Sequence, residues 1–409
     1  AATNMVTVSM VPAASNGVRV VQHQKVSVDS GDVNKPTQLL PLLNKKDGFG
    51  QAIAALGNIS GNGEADVAVG AYLSNIYAKD AGEVFILSLD ENGKVVTGGI
   101  TQIGGDLVAD SLLKSDYFGY SLAAGDLNND GIPDLAVGAL KDENELGTKD
   151  VGTVHLVYLD SSFNNIGGVT ICDTSLAPFG ITLAKKDQFG SAVSITDING
   201  DGNNDLIVGA DLRHGGGLVD AGSVFILFMD GQGGILNVVE ITDGSQLAVG
   251  TLVKKDGFGS SVATTDINGD EIPDLAIGAK KDDTDNTDAG ALYTLIMNAN
   301  GTVATNNKIT IGAIKKDWFG NSVSALDDID GDGVPELLVG SMQNDDEDKD
   351  AGRASILYLN ADGTMKALIN HISDMEGNFF GKLDKKDNFG VAVANLHADP
   401  VSYTHLRAH

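Results

Sequence analysis

Short runs of alternating apolar and polar residues, separated by clusters of Asp, Asn and Gly, make up almost the whole chain. Near the start, Val6, Val8 and Met10 alternate with Thr7 and Ser9, which is the period-two signature of a half-buried strand. The stretch after Phe258 shows the fuller pattern. A first strand is expected over 258–263 and a second over 275–279, beyond an acidic loop. A loop at 280–288 leads to a third strand over 289–297, and an Asn300-Gly301 turn returns the chain into a fourth near 308–312. No amphipathic stretch is long enough for a helix, so the chain is read as all-β.

This four-strand unit repeats. A Phe-Gly pair occurs at Phe49-Gly50, Phe118-Gly119, Phe189-Gly190, Phe258-Gly259, Phe319-Gly320 and Phe389-Gly390, at spacings of 69, 71, 69, 61 and 70 residues. Four strands in each period is the arithmetic of β-propeller blades, although the period alone implies only some array of four-stranded units. The expected division is a half blade at 1–48, full repeats at 49–117, 118–188, 189–257, 258–318 and 319–388, and the start of another blade at 389–399. Val401 to His409 breaks the pattern and matches the translation of a transposase-end sequencing adapter, so 400–409 is read as a non-native tail.

Between first and second strands lies an oxygen-rich loop, clearest in the run from Asp126 to Asp134. Calcium is a hard cation that takes six to eight oxygens, and a short, sharply curved loop presents alternate side chains to one ion. Positions 1, 3, 5 and 9 would supply side-chain oxygens and position 7 its backbone carbonyl. The second period offers Asp126, Asn128, Asp130 and Asp134 with the Ile132 carbonyl, and the third offers Asp197, Asn199, Asp201 and Asp205 with that of Asn203. The fourth set is Asp266, Asn268, Asp270 and Asp274 with Ile272, and the fifth is Asp328, Asp330, Asp332 and Glu336 with Val334. The expectation is therefore about four Ca2+ ions. Gly131, Gly202 and Gly333 at position 6 permit a left-handed backbone, whereas Glu271 in the fourth loop should cost roughly 1 kcal/mol there. The first period, with Asn58, Ser60, Asn62 and Asp66, holds a single carboxylate and is read as a metal-free turn. An EF-hand is excluded because its twelfth position falls at Val137, Val208, Ile277 or Val339, inside a strand. Simple acidic turns share this composition, but four in-register copies argue against that reading.

The Phe-Gly openings, the Asp-x-Asn-x-Asp-Gly-x-x-Asp loop, the Val-Gly-Ala ends at Val137, Val208 and Ile277, and the Ala-Gly pairs at Ala81, Ala221, Ala289 and Ala351 resemble the FG-GAP repeats of integrin alpha-subunit propellers and their bacterial relatives. One departure is the place after Gly-Ala, where Tyr72, Leu140, Asp211 and Lys280 replace proline. The resemblance implies a seven-bladed ring. Either this ring has about six blades or the chain is truncated at both ends, and the resemblance favours truncation. It also implies an adhesion or protein-interaction scaffold, secreted or on the cell surface as part of a larger protein. The long acidic loops at 141–150, 280–288 and 343–350 would then lie on the face opposite the calcium loops and offer a surface to a protein or glycan ligand.

A formal net charge of −29, spread along the chain, excludes the basic face that nucleic acid or an anionic membrane requires. No run approaches the ~18 apolar residues of a membrane-spanning helix, so no membrane insertion by this segment is expected. The sole cysteine, Cys172, is read as a buried structural thiol. Each Phe is expected to wedge between blades and its Gly to allow close strand packing. The Lys-Lys-Asp runs at Lys45, Lys185, Lys254, Lys315 and Lys385 are read as solvated surface charge. The histidines (His23, His155, His214, His371, His397, His405, His409) follow no ligand-like spacing, and no nucleophile motif opens a helix, so no enzyme is expected. The alternative is a calcium-dependent carbohydrate-active propeller, a lectin or polysaccharide lyase, for which 13 Phe, 8 Tyr and 1 Trp give few sugar-stacking platforms.

Overall fold

The computed structural model describes residues 4–13, 17–27, 42–44, 46–90, 93–104, 112–143, 147–248, 250–345, 349–373, 383, 386–395 and 403–408. These form six sheets, five of them built from contiguous chain as antiparallel blades. The first blade comprises Phe49–Gly57, Asp66–Ala71, Val84–Leu89 and Val95–Ile103. The second comprises Phe118–Gly125, Asp134–Ala139, Thr153–Leu159 and Asn165–Ile171. The third runs Phe189–Thr196, Asp205–Ala210, Ser223–Met229 and Ile235–Asp243, with Gln246–Leu247 added in parallel. The fourth runs Phe258–Thr265, Asp274–Ala279, Ala291–Met297 and Val303–Ile309, and the fifth Phe319–Ala325, Leu337–Ser341, Arg353–Leu359 and Met365–Ile372. The sixth sheet joins both ends of the chain, in the order Val393–Asn395, Tyr403–Ala408, Asn4–Ala13, Gly17–Ser27.

The second and third strands are apolar on both faces because neighbouring blades cover both. Asp134–Ala139 and Ser223–Met229 are buried at every position, so they read as unbroken rather than alternating runs. Outermost strands such as Asn165–Ile171 face solvent and keep exposed positions. All six Phe of the Phe-Gly pairs are at most 1% exposed. Phe118 packs with Ala81, Val84 and Ile86 of the first blade and with Leu135 and Val137 of its own, which makes it the expected wedge between blades. Burying such a ring contributes about 1.5–3 kcal/mol.

Glycines set the distance between blades. A Cβ on Gly138 would lie 2.1 Å from the Gly190 carbonyl oxygen of the next Phe-Gly pair, and the same geometry recurs at Gly70, Gly209, Gly278 and Gly340. The glycine of each Ala-Gly pair crosses to the next blade as an isolated parallel bridge, as in Gly82 with Phe118 and Gly290 with Phe319. Hydroxyls complete the seam: Ser121 Oγ donates to the Gly190 carbonyl at 2.7 Å and Ser322 Oγ to that of Gly390 at 2.8 Å. The innermost strands of all six sheets line one central channel, with a cavity of about 260 Å³ whose walls include Ile53, Leu122, Val193, Val262, Val323 and Val393.

Several boundaries differ from the sequence reading. The fourth strand of the fourth blade runs 303–309 rather than 308–312, because Gly301 (φ 76°) closes a tight turn in which its N–H donates to the Asn298 carbonyl, and strand pairing restarts at once. Ala289 and Gly290 precede the third strand and serve the seam between blades instead. A one-turn helix, Asp173–Leu176, follows the second blade. Cys172 precedes it half-buried, with Sγ 3.2 Å from Thr174 Oγ1, so the expectation of a buried thiol is met only in part.

Candidate metal centre

The four acidic loops share one backbone design. Position 1 is the hub: Asp126 accepts the N–H groups of Asp130 and Gly131, Asp197 those of Gly200, Asp201 and Gly202, and Asp266 those of Gly269, Asp270 and Glu271, all at 2.8–3.2 Å. Asp328 does the same for Gly331, Asp332 and Gly333. The position-5 carboxylates Asp130, Asp201, Asp270 and Asp332 accept the N–H of Ile132, Asn203, Ile272 and Val334 at 2.8–3.0 Å. Position 6 is left-handed throughout, and Glu271 adopts φ 68° where Gly131, Gly202 and Gly333 have 84–90°. Position 4 is left-handed as well, at Asn129, Gly200, Gly269 and Gly331, a requirement the sequence reading missed.

Position 9 is buried. Asp134, Asp205, Asp274 and Glu336 are all 0% exposed. In the first three of these loops the carboxylate ties its loop to the third strand: Asp134 accepts Leu127 N–H and Leu159 N–H, Asp205 those of Ile198 and Met229, and Asp274 those of Ile267 and Met297. Glu336 Oε2 accepts Ile329 N–H at 2.5 Å, while its Oε1 is buried with no hydrogen-bond partner. Burial raises the pKa of Asp134, Asp205 and Asp274 to about 6 and that of Glu336 to about 7.

The fifth loop brings its oxygens closest together. One carboxylate oxygen from each of Asp328, Asp330, Asp332 and Glu336 lies within 4.8 Å of the others. Among the described residues this is the one group of three or more acidic, histidine or cysteine side chains gathered so tightly. Four hard oxygen donors and an unpartnered buried oxygen fit the chemistry of a calcium-sized cation. Lys366 Nζ also reaches this cluster, 3.0 Å from Asp330 and in close contact with Asp332.

The first-period loop keeps the fold of the others with less chemistry. Its Asp66 is buried at position 9 and accepts the Ser60 N–H at 2.7 Å, and a bulge between Ala55 and Gly57 absorbs the extra residue. The second and third loops touch: Asn129 Nδ2 donates to Asn203 Oδ1 at 2.7 Å and Asn204 Nδ2 to the Asp126 carbonyl at 2.8 Å.

The opposite ends of the second strands carry the other set of loops, as antiparallel pairing requires. There the Lys-Lys-Asp reading needs correction for its aspartates. Asp187, Asp256 and Asp317 are at most 2% exposed and accept the N–H three residues earlier, from Ala184, Val253 and Ile314. They are turn clamps, while Lys185, Lys254 and Lys315 remain exposed. Lys45 and Lys385 lie outside the described residues. The departures from proline meet across blades, where Lys280 Nζ pairs with Asp211 at 2.7 Å. His155 stacks edge-on against Phe118 at 5.5 Å, as Phe225 does on Phe189 and Tyr293 on Phe258. Burial lowers its pKa to about 4, so it is a neutral core ring.

Residues 118–157, 189–227, 258–295 and 319–357 match the FG-GAP repeat. The chain is similar to integrin alpha-8 of Gallus gallus, 34% identical over 40% of this chain and 15% of that protein. It is similar to integrin alpha-5 of Xenopus laevis, 28% identical over 57% of this chain and 21% of the relative. Phosphatidylinositol-glycan-specific phospholipase D of Homo sapiens is 29% identical over 50% of this chain and 24% of its own length. The chain thus spans less than a quarter of each of these relatives. No helix among the described residues is long and apolar enough to cross a membrane.

Proposed function

We propose, from the premise that the chain is a β-propeller carrying FG-GAP repeats of the integrin-alpha kind, that it is a calcium-stabilised scaffold for adhesion or protein–protein interaction. The observation that carries this reading is the acidic loop repeated in register four times, with the carboxylates of the fifth blade gathered within 4.8 Å. Calcium in each loop would bridge positions 1, 3, 5 and 9 and relieve the repulsion among carboxylates that burial makes costly to ionise. Four such ions would move the formal charge from −29 to −21. The ions would hold the loops at one end of the second to fifth blades, leaving the long loops at the other end free to meet a protein or glycan ligand, in a secreted or surface-exposed setting. The role is non-enzymatic in this reading, and the similarity to a phospholipase D is taken as similarity of a propeller segment.

Calcium titration by calorimetry, paired with melting curves in chelator, tests the proposal. About four ions bound with a rise in melting temperature is the expected result; no heat and no change in melting would overturn it. Calcium-dependent retention on immobilised extracellular proteins then separates the scaffold from the carbohydrate-active alternative, which requires retention on, or cleavage of, an acidic polysaccharide.

A further inference from the structure

Beside Glu336 at position 9, two linked residues set the fifth loop apart from the other three. In the second, third and fourth loops an asparagine at position 3 donates to the position-5 carboxylate: Asn128 Nδ2 to Asp130 Oδ2 at 3.0 Å, Asn199 Nδ2 to Asp201 Oδ2 at 2.9 Å and Asn268 Nδ2 to Asp270 Oδ2 at 2.9 Å. In the fifth loop that place is Asp330, which adds a fourth carboxylate and removes the donor. Lys366, from the outermost strand Met365–Ile372, supplies what is lost: its ammonium donates to Oδ2 of both Asp330 and Asp332. Counted over positions 1, 3, 5 and 9, the charge returns from −4 to the −3 of the other three loops.

Resting on the calcium reading above, we infer that Lys366 is a tethered cation that competes with calcium for the fifth loop and sets that site's affinity. An ion bridging Asp330 and Asp332 needs the oxygens Lys366 holds, so the ammonium must leave for the ion to enter. Binding at this site is therefore an exchange of one cation for another, whereas the other loops lose only an amide contact. Removing the lysine leaves four carboxylates with no internal counter-ion, which favours a divalent ion.

The test is Lys366→Met in the full chain, probed by calcium calorimetry and by terbium luminescence. Tyr358, buried and within electrostatic reach of Glu336 and Asp330, sensitises terbium in the fifth loop, and Tyr358→Phe identifies that share of the signal. The expected result is about tenfold tighter calcium binding at the Tyr358-dependent site, the equivalent of about 1.4 kcal/mol, with the other sites unmoved. Asp330→Asn combined with Lys366→Met rebuilds the asparagine pattern at position 3 and should bring the fifth site toward the affinity of the second and third, even if the single variant folds poorly. An unchanged fifth-site affinity in both variants, with wild-type binding intact, overturns the inference alone. Absence of a Tyr358-dependent signal in every protein overturns it together with the calcium assignment of that loop.

Discussion

Glu83 is a buried acid outside the four acidic loops, and its environment makes a sharp prediction. It follows the Ala81-Gly82 pair and is 0% exposed, with Ser74 Oγ donating to Oε2 at 3.1 Å and Gln102 Nε2 to Oε1 at 2.8 Å. Burial raises its pKa from 4.5 to about 7, and the Asp47 carboxylate nearby adds to the shift. The folded-state pKa thus lies above the unfolded one, so the folded protein binds more protons between these values. The associated stability is present in full below about pH 4.5 and is lost as pH rises through about 7. At 1.36 kcal/mol per unit the loss approaches ~3 kcal/mol at pH 8. Glu83→Gln keeps both hydrogen bonds, with its amide donating to Ser74, and carries no charge. The variant should match the wild type at pH 4.5 and exceed it by up to ~3 kcal/mol at pH 8. Urea unfolding of both proteins across this range measures the difference, and other titrating groups cancel in the comparison. A difference that does not change with pH, or a variant weaker at pH 8, would refute the reasoning.

Gly278→Ala would place a methyl 1.9 Å from the Gly320 carbonyl oxygen, backbone against backbone, and should lower stability by ~3 kcal/mol or more in denaturant. Gly202→Ala, left-handed at φ 89° but with nothing within 4 Å, should cost only ~1 kcal/mol in the same assay; equal losses would show that packing does not set the blade spacing. Glu271→Gly relieves a left-handed glutamate, and after the entropy cost of glycine the expected gain is ~0.5 kcal/mol, with tighter calcium binding at the fourth loop by calorimetry.

Most of the architecture was legible because it is written locally and six times over. Phe-Gly pairs, Asp-rich loops and short apolar runs each report a local demand: a wedge, a curved loop, a strand buried on both faces. Repetition in register then marked the acidic loops as one shared design. The position-6 requirement could be read for the same reason, and Glu271 indeed adopts the left-handed conformation its neighbours assign to glycine. The left-handed position 4 escaped notice because asparagine fills it once and glycine three times, and both are ordinary loop residues.

What the sequence by itself determined is whatever recurs: the blade, its strand order, the acidic loop and the wedge. Only the tertiary structure decided relations between residues far apart in the chain, since periodicity carries no information about distance across a seam. Lys366 reaches a loop 34 residues earlier. Asn129 meets Asn203 74 residues on. The aspartates of Lys-Lys-Asp looked solvated because their neighbours are charged, yet at Asp187, Asp256 and Asp317 the turn folds the carboxylate inward onto a backbone N–H, which offsets part of the hydration lost on burial. His155, featureless in sequence, is a core ring because strand register places it where the first, third and fourth blades hold Phe85, Phe225 and Tyr293.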